Sequence, residues 1–189
     1  MSVRMPFTLR LAKARPSWIF GIFAILITAA AAGRAHAGGD EDTEDRDNAW
    51  KEVAASLPSA PAAENLLPFY VSPTASQRFA IDAKSVSVGT DGVVRYTLLA
   101  TSASGAKSVS YEGIRCDGWQ TRLYAFGHPD GSWSRARRDE WTPINRNAAN
   151  RQQAVLAADY FCQGSTVAGK AAEMVERIRW KRSLQQFID

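Results

Sequence analysis

Hydrophobic and polar positions alternate with a period of two from Leu66 to Trp133. This alternation predicts β-strands with one buried face, and turn signals every eight to fifteen residues predict a meandering antiparallel sheet. The corners are four dipeptides whose glycine permits a positive φ angle, namely Asp91-Gly92, Ser104-Gly105, Asp117-Gly118 and Asp130-Gly131. The predicted strands span residues 67–71, 78–82, 85–88, 93–101, 107–116 and 119–127.

The turn lengths predict how the central strands pair. A two-residue loop at Asp117-Gly118 places Glu112 opposite Leu123, and a four-residue loop at Ser102–Gly105 places Arg95 opposite Glu112. The same register aligns three tyrosines on the other face, which we assign to the core: Tyr96, Tyr111 and Tyr124. The Arg95–Glu112 pair is then predicted among aliphatic side chains, with Cys116 at the end of its face.

Beyond the sheet the hydrophobic period becomes helical. A first helix is predicted with Asn147 or Asn150 as its N-cap, ending near Cys162 with Gly164 as the stop. Its alanines would allow it to pack closely on the sheet.

A second helix is predicted after a cap at Ser165 or Thr166. Its apolar stripe comprises Val167, Ala171, Met174, Val175 and Ile178. A meandering antiparallel sheet followed by two C-terminal helices belongs to the α+β fold class, and we expect one domain over residues 66–189.

The first 37 residues have the three parts of a secretory signal peptide. A cationic stretch precedes an apolar run from Ile19 to Gly33, and a small-x-small site follows at Ala35–Ala37. The apolar run of about 15 residues is shorter than the roughly 20 that span a bilayer, so no permanent membrane span is expected after cleavage. We expect cleavage before Gly38 and a periplasmic location.

The signal peptide accounts for the formal net charge of +4. Without residues 1–37 the chain has 18 basic residues against 19 acidic ones. This balance, in an exported protein, argues against nucleic acid as a partner. A nucleotide is not expected either, although Gly164–Ala171 approximates the phosphate-binding loop, because Ala171 replaces the hydroxyl residue that binds magnesium.

Residues 38–65 form the approach to the sheet. They begin with an acidic run that we expect to be a solvated tail. Trp50, Val53 and Leu57 recur at a helical spacing and predict a short helix within residues 43–57, before a linker rich in proline and alanine.

The two cysteines, Cys116 and Cys162, are 46 positions apart. In an oxidising compartment they are predicted to form a structural disulfide and not a redox pair, which would favour a C-x-x-C spacing. Two cysteines and two histidines are too few for a zinc cage or an iron–sulfur cluster, so neither a metal nor another cofactor is expected.

A polar cluster of Arg95, Glu112 and Arg115 is the first candidate for function. The interpretation we prefer is structural, an ion pair that fixes the central strands. The alternative is a binding or catalytic cluster, with Asp82 or Asp159 completing a carboxylate pair of the glycosidase type. No residue is assigned as catalytic.

A basic run is the second candidate. Arg135, Arg137 and Arg138 lie between Trp133 and Trp141, and Arg146 and Arg151 continue the run, a composition that suits an anionic partner. The interpretation we prefer is a merely solvated face. The alternative is an anionic partner, either an envelope component or the protein's own acidic tail at Asp40–Asp47. Outside the signal peptide the only histidine lies in a turn, and the sequence marks no serine as its catalytic partner.

Four segments resemble the CNP-like family of exported proteobacterial proteins: DGVVRYTLLATSASGAKSVSYEGIRC (Asp91–Cys116), TRLYAFG (Thr121–Gly127), GSW (Gly131–Trp133) and RQQAVLAADYFC (Arg151–Cys162). The resemblance extends over roughly Trp50 to Ile178. It implies export and, because the cysteines lie in the YEGIRC and DYFC segments, the disulfide. It implies no activity and no ligand.

The sequence therefore predicts an exported, non-catalytic binding or accessory module of the cell envelope. An envelope protein or an anionic envelope component is the expected partner. A small periplasmic hydrolase built around Glu112 is the alternative.

Overall fold

One antiparallel sheet organises the part of the chain that the computed structural model describes, residues 50–145 and 150–187. Its order is β1-β2-β4-β5-β6-β7, with the short β3 beside β4 and the short β8 beside β6. The strands are β1 (Leu66–Phe69), β2 (Gln77–Asp82), β3 (Ser87–Val88), β4 (Val93–Ser102), β5 (Lys107–Arg115), β6 (Gln120–Gly127), β7 (Trp133–Arg135) and β8 (Thr142–Pro143).

The helices follow the sheet in sequence, which confirms the predicted α+β class. Helix α1 continues directly into a π-helix, and a short hairpin then leads to α2 and a final 3₁₀ turn. These elements are α1 (Arg151–Val155), the π-helix (Leu156–Phe161), β9 (Cys162–Gln163), β10 (Thr166–Val167), α2 (Ala171–Arg179) and the 3₁₀ turn (Leu184–Phe187).

The main core lies between the helices and one face of the sheet, the helix-side face. Tyr96 and Ile114 of the sheet are fully buried there, and so are Phe161, Met174 and Ile178 of the helical part. The rings of Tyr96 and Phe161 are 5.4 Å apart between centroids. Met174 and Ile178 of the predicted α2 stripe are buried, and Ala171 and Val175 pack against the same core, but Val167 belongs to β10 and not to the helix.

A disulfide joins Cys116, directly after β5, to Cys162 at the end of the π-helix. Both cysteines are buried in the main core, and their Cα atoms are 5.6 Å apart. The predicted bridge is confirmed, and it ties the helical part covalently to the middle of the sheet.

Residues 50–62, which we call the strap, cross the opposite face of the sheet without regular secondary structure. Ala55 and Leu57 pack against Tyr111 and Tyr124, and the Trp133 indole N–H donates to the Pro58 carbonyl oxygen at 2.8 Å. The helix predicted within residues 43–57 is therefore wrong over 50–57, and residues 43–49 lie outside the described part. Contacts with the sheet outweigh the local helical pattern, because isolated short helices are marginal in water.

The predicted pairing of Arg95 with Glu112 is wrong by one residue. Arg95 pairs with Gly113, and Tyr96 pairs with Glu112. The cause is the β4–β5 turn, where the Ser102 N–H donates to the Ala106 carbonyl oxygen and Gly105 has a φ of 87°. These features define a three-residue loop ending in a left-handed glycine, one residue shorter than predicted. A slip of one residue exchanges the two faces of a strand.

The predicted ladder of three tyrosines is also divided between the faces. The β5–β6 pairing shifts by one residue between Tyr111 and Glu112, so Tyr111 pairs with Ala125 and Tyr124 is the extra residue of a bulge. Tyr111 and Tyr124 still contact, with ring centroids 5.6 Å apart, on the strap side. Tyr96 lies on the helix side, in the main core.

The predicted helix starts are only partly correct. Asn150 does precede α1, but its side chain donates to the Pro143 carbonyl oxygen and does not cap the helix. Asn147 lies outside the described residues. Thr166 belongs to β10, and α2 begins at Ala171 after Gly169, whose φ of 85° turns the chain into the helix.

None of the helices in the described ranges combines the length and the hydropathy needed to cross a bilayer.

Candidate functional site

The structure does not bring the predicted polar cluster together. Arg95 lies on the strap-side face, whereas Glu112 is buried on the helix-side face. Arg115 forms an ion pair with Asp117, and its guanidinium lies 4.2 Å from the centroid of the Trp50 ring. The predicted Arg95–Glu112 ion pair and the predicted cluster of Arg95, Glu112 and Arg115 are both wrong. The shorter β4–β5 turn moves Arg95 to the other face, and Arg115, three residues after Glu112 on the same strand, also faces away from it.

The partners suggested for a carboxylate pair are also elsewhere. Asp82 ends β2 and accepts a hydrogen bond from the Lys84 N–H at 3.2 Å. Asp159 belongs to the π-helix and lines a cavity of about 480 Å³ beside α1. Neither residue is part of the cavity that Glu112 lines.

Arg95 is the centre of an ion cluster beneath the strap. It is 5% exposed and donates to Asp91 Oδ2 at 2.6 Å and to the Val53 carbonyl oxygen at 2.8 Å. The Val53 N–H in turn donates to Asp91 Oδ2 at 2.8 Å. Asp91 also accepts from the Val93 N–H. The buried Arg95–Asp91 ion pair therefore binds the strap backbone at both polar groups of Val53, its carbonyl oxygen and its N–H.

Glu52 of the strap completes this ion cluster. Its carboxylate accepts hydrogen bonds from Arg95, Arg122, Tyr124 and the Trp141 indole N–H, the last at 2.9 Å. Arg122 also pairs with Asp139 at 3.0 Å. Arg95 and Arg122 therefore bind the same carboxylate, although both are far from Glu52 in the sequence. The sequence patterns did not predict this cluster.

Gly113 makes room for this ion cluster. A Cβ atom at this position would lie 2.7 Å from the Tyr124 hydroxyl and 2.9 Å from its ring. Tyr124 can therefore lie across β5 and reach Glu52 only because residue 113 has no side chain.

The ion cluster shifts the ionisation of its members. Burial alone would raise the pKa of Asp91, but hydrogen bonds from Arg95, Val53 and Val93 outweigh it and hold the pKa below its usual value. Burial raises the pKa of Tyr124, and its hydrogen bond to Glu52 adds to the rise. Tyr124 therefore stays protonated and donates.

We expect acid to destabilise the fold partly through Asp91. Its pKa is lower in the folded chain than in the unfolded chain, so its contribution is complete above the unfolded value of about 3.9 and is lost as the pH falls through the folded value. Asp91→Asn should therefore flatten the loss of stability below about pH 4. Urea unfolding of both proteins between neutral and acidic pH measures this, and parallel curves would contradict it.

A pocket on the other side of the sheet has Glu112 at its floor. Glu112 is 6% exposed and accepts hydrogen bonds from the Ser110 hydroxyl at 2.6 Å, the Tyr96 hydroxyl at 3.0 Å and the Gln153 amide at 2.9 Å. The pocket has a volume of about 220 Å³. Burial raises the pKa of Tyr96 well above its ordinary value, and the Glu112 carboxylate adds to the rise, so Tyr96 remains a donor.

The predicted basic run follows the edge of the sheet. Arg135, Arg137 and Arg138 are exposed, and none forms an ion pair within the described residues. Arg135 lines a cavity beside Glu52, whereas Arg138 lines the Glu112 pocket on the opposite face. This edge segment therefore presents cations toward both faces of the sheet.

The histidine in the turn after β6 has a serine partner that the sequence did not mark. His128 Nε2 lies 2.6 Å from the Ser134 hydroxyl oxygen on the neighbouring strand. Asp130, the carboxylate of the same turn, accepts from Ser132 instead. The pair is exposed on the hairpin, and no carboxylate of the described residues orients the imidazole as a catalytic triad requires.

In residues 50–145 and 150–187 no three His, Cys, Asp or Glu side chains are grouped so that they could hold a metal ion.

The sequence profile of the CNP1-like family matches residues 45–179 of the chain. The matched range includes the sheet, the strap, both cysteines and α2. No curated protein and no solved structure matches the chain.

Proposed function

The chain belongs to the CNP1-like family, and we propose that it is an exported, non-catalytic binding module of the cell envelope. Its partner in this proposal is an anionic component of the envelope. The arginines at 135, 137 and 138, which we call the arginine segment, bind that partner.

The proposal rests on the exposure of these arginines and on their lack of an ion-pair partner among the described residues. The buried or half-buried Arg95, Arg115 and Arg122 are each neutralised by a carboxylate of the fold. The arginine segment is exposed, and its members have no such partner in the described ranges. Guanidinium groups in this state are available to phosphate or carboxylate groups of another molecule.

Export is supported by two features of the chain. Residues 1–37 have the pattern of a cleavable signal peptide. A buried disulfide such as Cys116–Cys162 is typical of proteins that fold in an oxidising compartment. The hydrolase alternative receives no support, because Arg95 and Arg115 lie on the opposite face from Glu112.

Flotation of the protein with vesicles that contain phosphatidylglycerol tests the anionic partner. We expect the wild type to bind these vesicles, and to bind less as salt is raised. Each basic residue near an anionic surface contributes about 1 kcal/mol. The triple variant Arg135→Glu, Arg137→Glu and Arg138→Glu should therefore bind at least about 100-fold more weakly.

A charge-matched variant distinguishes a local site from overall charge. Arg78→Glu, Lys107→Glu and Arg182→Glu change the net charge equally at exposed positions elsewhere in the fold. This variant should retain most of the binding. Equal loss in both triple variants, or no loss in either, would remove the arginine segment from the proposal, and a wild type that does not bind the vesicles would exclude anionic lipid as the partner.

A further inference from the structure

Glu112 is a buried carboxyl group that forms no ion pair with any residue of the described ranges. It accepts hydrogen bonds from Tyr96, Ser110 and Gln153, all of which are neutral donors. The two carboxyl oxygens of Glu112 therefore have three polar neighbours, each with a hydrogen that it can donate. No ion pair among the described residues includes it. Buried charges in proteins are normally paired, so this one is the exception that needs an explanation.

Gln153 provides a second, independent irregularity at the same place. The residue is 8% exposed, and its Nε2 donates to Glu112 Oε2. Its Oε1 accepts no hydrogen bond from any described residue. The amide orientation is fixed, because the reverse one would direct an oxygen at the carboxylate. A buried acceptor left without a donor is unfavourable unless another molecule supplies one.

Both residues line the Glu112 pocket. Its volume of about 220 Å³ is below the roughly 300–1,000 Å³ of pockets for drug-sized ligands, so it suits a smaller molecule. Leu123 and Phe126 form apolar walls, and Phe126 is 48% exposed. Arg138 and Glu140 also line it. Magnesium or calcium fits poorly, because these ions take six or more oxygen ligands.

We infer that the Glu112 pocket binds the primary ammonium group of a small apolar amine or amino acid. The ammonium group donates hydrogen bonds to the Glu112 carboxylate and to Gln153 Oε1, which supplies the missing cation and the missing donor together. The apolar part of the ligand contacts Leu123 and Phe126. If the ligand is an amino acid, its carboxylate pairs with Arg138. The ammonium site does not depend on the anionic partner proposed above; only an amino acid ligand would share Arg138 with the arginine segment.

Isothermal titration calorimetry of the full, disulfide-bonded chain with n-butylammonium chloride tests this inference. We expect saturable binding. The uncharged isostere 1-butanol should bind at least about tenfold more weakly, because it lacks the charge and two of the three donors. Absence of saturable binding by n-butylammonium, or equal binding of the alcohol, would overturn the inference.

Two variants locate the binding in the pocket. Glu112→Gln preserves shape and removes the charge, and should weaken n-butylammonium binding at least about tenfold. Glu64→Gln removes an exposed carboxylate elsewhere and should leave binding unchanged. If circular dichroism shows that Glu112→Gln does not fold, Phe126→Ala at the exposed wall replaces it, with an expected loss of several-fold. Wild-type affinity in the folded variant would refute the site.

Titration with L-leucine distinguishes the two sources of the ammonium group. An amino acid ligand predicts that leucine binds more tightly than n-butylammonium and that Arg138→Ala abolishes the difference. A simple amine predicts equal or weaker binding of leucine and no effect of Arg138→Ala. Both results support the ammonium site, and leucine binding that persists unchanged in Glu112→Gln contradicts it.

Discussion

Replacing Cys116 and Cys162 together by alanine is expected to lower the free energy of unfolding by about 4 kcal/mol. The bridge closes a sequence separation of 46 residues, and in the chain-entropy treatment a loop of that size restricts the unfolded chain by about this amount. Alanine is the appropriate replacement because both positions are buried, where a serine hydroxyl would need a hydrogen-bond partner.

Urea unfolding of the oxidised wild type and of the double alanine variant measures this difference. Wild-type protein reduced with a phosphine should unfold close to the midpoint of the variant, and the reductant should not change the variant itself. A difference below about 1 kcal/mol would contradict the prediction, since it would mean that the bridge does not restrict the unfolded chain.

Glu52→Ala is expected to destabilise the fold by about 3 kcal/mol, at the lower end of the range for breaking a buried ion pair. The change removes the carboxylate from Arg95 and Arg122, whose side chains are 6% and 23% exposed. Arg95 retains Asp91, whereas the remaining ion-pair partner of Arg122 within the described residues is the more exposed Asp139. Tyr124 and Trp141 also lose their acceptor.

The same variant should loosen the strap. Hydrogen exchange of the Val53 amide, which donates to Asp91, should accelerate more than exchange of amides in β4 and β5. Glu64→Ala is the control, because Glu64 is exposed and its change should stay within about 0.5 kcal/mol. Equal stability of Glu52→Ala and Glu64→Ala would show that the ion cluster does not stabilise the strap.

Strand positions were predictable because turn residues and alternation act locally. The Asp117-Gly118 turn gives the predicted pairing of Glu112 with Leu123. The register of β4 was not predictable from the same information. A three-residue loop and a four-residue loop at Ser102–Gly105 use the same residues, and only the left-handed Gly105 and the Ser102–Ala106 pairing distinguish them.

The faces were harder to predict than the strands because both faces of this sheet are covered. Along β4, Val93 and Arg95 are as buried beneath the strap as Val94 and Tyr96 are beneath the helices. Alternation assigns one face to solvent only when one face is exposed. The bulge at Tyr124 then changes which residues of β6 face each side of the sheet beyond it, and no residue in the sequence indicates this bulge.

Glu112 illustrates what sequence could and could not say about the site. Its position on a central strand among apolar residues singled it out correctly as an unusual acid. Its predicted partners were wrong for two reasons. Tyr96 lies opposite Glu112 only in the shifted register, and Gln153 belongs to a helix whose packing the sequence does not specify. The strap carboxylate, Glu52, was missed, since its arginine partners are 43 and 70 residues away.

The two ends of the sheet also bear on how the protein behaves at high concentration. One outer strand, β1, has four residues, and one of them is Pro68, which has no amide N–H to offer. The other border, along β6, is covered by the short β7 and β8 with arginines at and after β7. Short, proline-containing or charged borders resist strand addition by a neighbouring molecule. Within the described chain, the sheet therefore has little tendency to nucleate aggregation.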